Sequence, residues 1–240
     1  MSGARRRALA FALVAVLAAL TAALLRNEPA PLAARPVAER PTLLLLTSLP
    51  LLFSEDFSLK GGLPAIRRLQ TRYKLLPVSV TDPRELAKGR LLLMAHPLAQ
   101  PAEDLVALDD WVRGGGRVLL LADPMLEWPS KRPLGDLLRP PPMFMDTGLL
   151  AHWGLRLDAP QRSGLTPRAL GGFSIMTVSP GALTGRCRIS SDAFVAHCKI
   201  GKGEATIVAD ADFLDVDELG PRAGHNIDGL LEELANLERS

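Results

Sequence analysis

Five short, mostly apolar runs, each closed by turn-forming residues, constrain this chain more than any other feature. They cover residues 42–47, 75–80, 90–95, 117–122 and 204–209. Runs of this length, apolar at nearly every position, suit strands buried on both faces, because a strand with one wet face would alternate. Ser48-Leu49-Pro50, Asp82-Pro83, His96-Pro97 and Asp123-Pro124 follow the first four runs, and Asp210 follows the last. Helical patterns fall between them. Residues 65–72 read as a helix with a basic outer face. Residues 101–113 place Leu105, Leu108 and Val112 on one face and end in Gly114-Gly115-Gly116. Residues 226–237 form a closing helix. Such alternation predicts an α/β fold with a mostly parallel sheet flanked by helices. Between the fourth and fifth runs the pattern loosens. Pro129, Pro133 and Pro140-Pro141-Pro142 predict an excursion over the surface, and residues 149–153 one or two helical turns. Residues 155–200 read as short antiparallel additions to the sheet edge.

The chain has 240 residues and is 48% hydrophobic, enough to bury a substantial core. Its formal charge of +2 is unevenly spread: 28 basic residues face 26 acidic ones, but Arg5, Arg6, Arg7 and Arg26 precede any acid, leaving 24 against 26 in the body. With no clustered Lys/Arg on that body, nucleic acid is excluded as a partner class. Residues 8–25 are apolar except for Thr21. As a helix they would span roughly 27 Å, close to the hydrocarbon core. With Arg5–Arg7 kept inside, this predicts one N-terminal transmembrane helix contacting membrane lipid. The chain would then be a single-pass bacterial inner-membrane protein with a cytoplasmic N-terminus. A Pro/Ala-rich linker follows over 27–41, and a periplasmic domain over 42–240. A signal peptide cleaved near Thr21-Ala22-Ala23 is the competing reading; both export the domain.

Cys187 and Cys198 are the two cysteines. A hairpin turning at Asp192-Ala193 would place them opposite one another, within reach of a disulfide; two separate buried thiols are the alternative. No His cluster accompanies them, so no zinc site is expected.

Three stretches carry a family resemblance. The first is His96-Pro97 and the helix with Asp104, Leu108 and Trp111. The second is Gly114-Gly115-Gly116, the strand to Ala122, and Asp123-Pro124. The third is Gly201-Lys202-Gly203, Ile207 to Phe213 with Asp210 and Asp212, and the helix starting near His225-Asn226. Together they resemble the extracytoplasmic domain of the gliding-motility-type ABC transporter auxiliary family, over about residues 42–125 and 200–238. A related domain of unknown function shares its glutamine-amidotransferase-like fold. The resemblance implies a flavodoxin-like or class I glutamine-amidotransferase-like sheet. It also implies ABC permease and ATPase subunits as partners, and no established catalytic residue at the motif positions.

Ligands of open α/β sheets bind beyond the carboxyl ends of the strands. Ser48, His96, Asp123 and Asp210 would share that rim, with Asp212 nearby, as a ligand or partner surface. A His with several carboxylates could serve acid–base chemistry or hold a metal. The same residues also read as strand terminators and caps, and that structural reading is preferred. The run at 90–95 leads into His96-Pro97-Leu98, with no thiol or hydroxyl where an elbow nucleophile would stand. Gly114-Gly115-Gly116 follows a helix rather than preceding one, so it is no phosphate cradle. Trp111, Trp128 and Trp153 are too scattered for a sugar platform. The expectation is a non-catalytic auxiliary domain with no cofactor and no metal; a hydrolase or solute-binding domain using the His96/Asp123/Asp210 rim is the alternative.

Overall fold

A computed structural model describes residues 29–52 and 63–240, and the folded body runs from Pro31 to Ser240. Its centre is a sheet of seven strands. Four come from the first half of the chain: β1 (Thr42–Thr47), β2 (Lys74–Pro77), β3 (Leu91–Ala95) and β4 (Arg117–Leu121). Three come from the second half: β9 (Arg188–Ile189), β10 (Val195–Ile200) and β11 (Gly203–Val208). The order is β2-β1-β3-β4-β11-β10-β9. The first five are mutually parallel; β10 runs antiparallel to β11, and β9 antiparallel to β10. Leu43–Leu46, Leu91–Ala95 and Val118–Leu121 are buried at every position, so both faces of the sheet are covered, as their unbroken apolar character requires.

The expected class, a mostly parallel sheet of flavodoxin-like or glutamine-amidotransferase-like kind behind a transmembrane helix, is corrected to a mixed α/β architecture. Beside the mixed main sheet stand two antiparallel pairs: β5 (Leu155–Asp158) with β8 (Ala182–Gly185), and β6 (Leu165–Leu170) with β7 (Phe173–Val178). Only β9 and β10 of the 155–200 region join the main sheet. The reason lies in patterning. β7 alternates buried with more exposed positions, and β6 alternates exposed with half-buried ones. Each buries one face and makes its own ladder instead of extending a sheet covered on both sides. The second strand is shorter than expected because Pro77, paired with Leu45 at the sheet edge, ends it.

Six α-helices are described: α1 (Pro64–Gln70), α2 (Pro83–Leu86), α3 (Ala102–Arg113), α4 (Leu149–His152), α5 (Val216–Leu219) and α6 (Asn226–Arg239). Helix α6 buries Ile227, Leu230, Leu231, Leu234 and Leu237 along one stripe and packs on β4, β6, β7 and β11. Among the described residues no helix is long and apolar enough to cross a membrane. The longest of them, α6, has 14 residues, about 21 Å against a hydrocarbon core of about 30 Å. The single-pass inner-membrane localisation is corrected accordingly. Residues 8–25, on which it rested, lie outside the described residues.

The expected linker is also revised, because residues 31–41 dock on the body. Arg35 makes a two-pronged contact to Glu238, at 2.9 and 2.7 Å, and its guanidinium lies 5.5 Å from the centre of the Tyr73 ring. Arg68 donates to the Leu32 carbonyl at 3.1 Å and to Asp228 at 3.0 Å.

Two local features hold the second half in register. Cys187 and Cys198 form a disulfide, with Cα atoms 4.8 Å apart. Ile189 faces Ala196 and Arg188 faces His197, which puts the cysteines directly opposite. The turn between the strands includes Ala193 at φ 58°. Gly203, which opens β11, lies against the end of α3. A Cβ there would sit 2.1 Å from the Gly116 carbonyl oxygen and 2.2 Å from that of Val112.

Gly203→Ala is expected to destabilise the fold by about 3 kcal/mol, because both opposing atoms are backbone and cannot swing away; denaturant unfolding at constant m-value measures it. Reduction of the disulfide, or the Cys187→Ser/Cys198→Ser pair, should cost roughly 2–3 kcal/mol in the same assay. An unchanged midpoint would mean that the hairpin holds its register without the bond.

Candidate functional site

The rim predicted from the sequence exists, and it divides into two parts. Asp123 and Asp210 leave neighbouring parallel strands. Leu121 is the register partner of Val208, so two residues further on the aspartates stand side by side. Asp212 opens a 3-10 turn, Asp212–Leu214, and brings a third carboxylate to them. Ligand-type oxygens of the three lie within 4.8 Å of one another. Asp123 and Asp210 are wholly buried and Asp212 is 3% exposed.

Their oxygens are already engaged. Asp123 accepts from the amides of Met125 and Ala211, both at 2.8 Å. Asp210 accepts from Phe213 at 3.0 Å and Val178 at 3.2 Å. Asp212 accepts from Glu127 at 2.8 Å. These amides come from the loop after β4, the end of β7 and the turn after β11, so the carboxylates stitch three segments together. The electrostatics follow from burial and mutual repulsion. Burial, aided by the Glu127 charge, raises Asp123 to about 6 against its amide contacts. Burial, then the Asp123 charge, raises Asp212 to about 8. Burial and both neighbours push Asp210 well above the ordinary carboxylate range. Near neutral pH the trio therefore shares protons.

His96 and Ser48 belong to the other part. His96 follows β3 in left-handed backbone at φ 45° and is wholly buried. Its Nε2 lies 2.9 Å from the Pro141 carbonyl oxygen. A carbonyl only accepts, so Nε2 carries the hydrogen, and Nδ1 is left buried without a hydrogen-bond partner. Burial lowers the imidazole to about 4, opposed by the Pro141 contact, and keeps it neutral. The Ser48 hydroxyl donates to the His96 carbonyl rather than to the ring. Serine, histidine and aspartate thus share a rim but form no proton relay. His96 occupies a strained strand-to-helix elbow of the kind that presents nucleophiles in α/β enzymes, with an imidazole turned inward instead.

The rim anchors the proline-rich excursion. His96 holds Pro141, the Asp123 carbonyl accepts from Phe144 at 2.6 Å, and Leu126 donates to Pro142 at 2.9 Å. Two participants were not visible in the sequence. Ser179, at φ 47°, accepts from Gly164 at 2.8 Å and donates to Glu127. Asn226 is wholly buried and clamps β7 to the 3-10 turn: its amide donates to Met176 and Phe213, and its carbonyl accepts from Met176, each at 2.8 Å. The Gly-x-Gly and Asn-helix spacing marked the place of Asn226 but not its role. Oxygen donors like the trio suit a hard cation in composition. A cation here would have to displace protons and compete with five amide contacts in a site with almost no solvent access.

No family model matches the chain, and no curated protein does. Among solved structures, it is similar to the mmIFT52 N-terminal domain at a TM-score of 0.53 and 13% identity, over 81% of this chain and 97% of that one. It is also similar to the exo-beta-1,4-mannosidase Op5Man5 from Opitutaceae bacterium strain TAV5 (TM-score 0.49, 13% identity, 82% of this chain and 36% of that one). A beta-galactosidase from Bacillus circulans sp. alkalophilus is similar at a TM-score of 0.46 and 14% identity, over 87% of this chain and 32% of that one. The chain spans about a third of the length of these glycosidases. The first likeness concerns the fold alone.

Raised carboxylates bind protons in the folded chain that the unfolded chain releases, so stability should fall as pH rises toward the folded values. From about pH 7 to 8 the raised carboxyls of Asp212 and Asp210 carry this dependence; the loss expected is about 1–2 kcal/mol. Asp212→Asn keeps an acceptor for the Glu127 amide and should flatten this decline. Thermal unfolding at stepped pH tests it, and a midpoint that rises across the window contradicts the shared-proton description.

Proposed function

We propose that the chain is a non-catalytic auxiliary component of an ABC-type transport system, acting through protein contacts with permease and ATPase subunits. One observation carries the non-catalytic part. The rim groups that could do chemistry are engaged with backbone, and all but the half-buried Ser48 are buried: the aspartates bond amides, His96 bonds Pro141, and Ser48 bonds a carbonyl. A general acid or nucleophile needs a substrate within hydrogen-bond reach, and these groups face loops of their own chain. The family resemblance of the His-Pro, Gly-Gly, Asp-Pro and Gly-x-Gly motifs supports the transport part.

The excursion supplies a contact surface for such a role. Leu134 and Leu137 are 84% and 92% exposed, and Leu138, Met143 and Met145 are exposed beside them. Apolar side chains gathered on one loop region mark a surface made for a partner more than for water. The rim, a candidate hydrolytic or solute-binding centre in the sequence, becomes the anchor of that surface. This explains burying three carboxylates without catalysis.

Affinity purification of the tagged chain from detergent-solubilised native cells, followed by mass spectrometry, tests the proposal. An ABC permease and ATPase in near-stoichiometric amounts are expected. Recovery of the chain alone, under conditions that keep a known transporter complex intact, would overturn it. Leu134→Asp/Leu137→Asp should reduce the recovery while leaving the fold intact, since neither side chain is packed.

A further inference from the structure

A groove of about 880 Å³ opens at the antiparallel end of the main sheet, away from the rim. Its floor is a row across three strands: Arg188 on β9 faces His197 on β10, which faces Thr206 on β11. Directly opposed residues project from the same face, so a guanidinium, an imidazole and a hydroxyl stand together. Lys199, two residues from His197, projects beside them, and Arg186 also lines the groove. On the far side α6 forms a wall with Glu233.

The charge of this groove is not balanced. Lys199 is paired with Glu204 at 2.9 Å. Among the described residues neither Arg186 nor Arg188 makes a hydrogen bond or ion pair with its guanidinium. Arg186 is nonetheless placed: its amide donates to the Gly154 carbonyl at 2.9 Å, and a Cβ on Gly154 would lie 2.9 Å from its Nε. The guanidinium thus lies close along bare backbone. Glu233 offsets these charges only in part, although the Arg188 charge favours its ionised form. One of its oxygens accepts from the Gly171 amide at 3.2 Å, and the other is buried without a hydrogen-bond partner, 4.0 Å from His197 Nδ1. Burial pushes its carboxyl up, against the Gly171 amide and the Arg188 charge.

We infer that this groove is a binding site for a small organic phosphate monoester, held by the Arg186 and Arg188 guanidinia and oriented by His197 and Thr206. Two guanidinia match a dianion, and their planar forks suit phosphate oxygens. The volume falls within the roughly 300–1,000 Å³ usual for small-molecule sites. The buried Thr206 hydroxyl, 3.2 Å from His197 Nδ1, fixes the imidazole, whose other nitrogen adds a contact for an organic portion bearing hydroxyl groups. The disulfide, which joins β9 to β10 at Cys187 and Cys198, fixes the spacing of the row. The site does not depend on the proposed transport role.

Isothermal titration calorimetry of the oxidised protein with glycerol 3-phosphate, glycerol and sulfate tests the inference. Saturable binding of one glycerol 3-phosphate is expected, with none of glycerol and weaker binding of sulfate. Arg188→Gln should weaken it about tenfold, as loss of one charge-assisted contact does, and Arg186→Gln similarly. Both side chains are exposed, so the variants should fold, and circular dichroism checks this. No saturable heat, affinity unchanged in both variants, or sulfate binding as tightly as glycerol 3-phosphate would each overturn the assignment.

Discussion

Buried carboxylates accepting backbone amides hold this molecule together at its least regular end. The parallel ladder through β1, β3, β4 and β11 is self-supporting, because each strand is apolar on both faces and satisfies its backbone in its neighbours. Beyond the carboxyl ends that rule lapses, and loop amides need other acceptors. Asp123, Asp210 and Asp212 provide them for five amides from three segments. Their desolvation is costly, and the protons shared between them reduce that cost. A group of polar side chains at a strand rim looks like a reaction centre in sequence. Here the same residues are the mortar of the loops.

How far the structure was legible varied along the chain, for identifiable reasons. Strands at 42–47, 90–95, 117–122 and 204–209 were readable because unbroken apolar runs have few other fates. Helices α3 and α6 were readable because their apolar residues recur at helical spacing. Hairpin arithmetic placed the two cysteines opposite one another, since residues sharing one turn centre must oppose, but left the bond and two separate thiols equally open. What failed was the 155–200 region. Its strands are short and alternate, and alternation says that one face is buried without saying against which sheet. The fold class was misjudged as mostly parallel for that reason. Residues 31–41 were misread because Pro and Ala dominate the composition, while the anchoring groups are arginines whose partners lie far along the chain.

At the rim, the sequence supplied positions without roles. Strand ends predict that Ser48, His96, Asp123 and Asp210 approach one another, because register is a backbone property. Whether a side chain faces solvent or a loop depends on where the excursion returns. Pro141 over His96 could not be inferred from local pattern. Ser179 was equally hidden, since a left-handed serine before a proline has no distinctive signature.

The contact between Arg35 and Glu238 places the two ends of the body side by side. Tension applied through the two ends would therefore meet a two-pronged clasp before it reached any strand of the main sheet. Such a clasp yields bond by bond and can reform, whereas a parallel ladder shears all at once. The same adjacency makes a circularly permuted body, joined at this clasp and opened in the 124–147 excursion, a route to the same architecture.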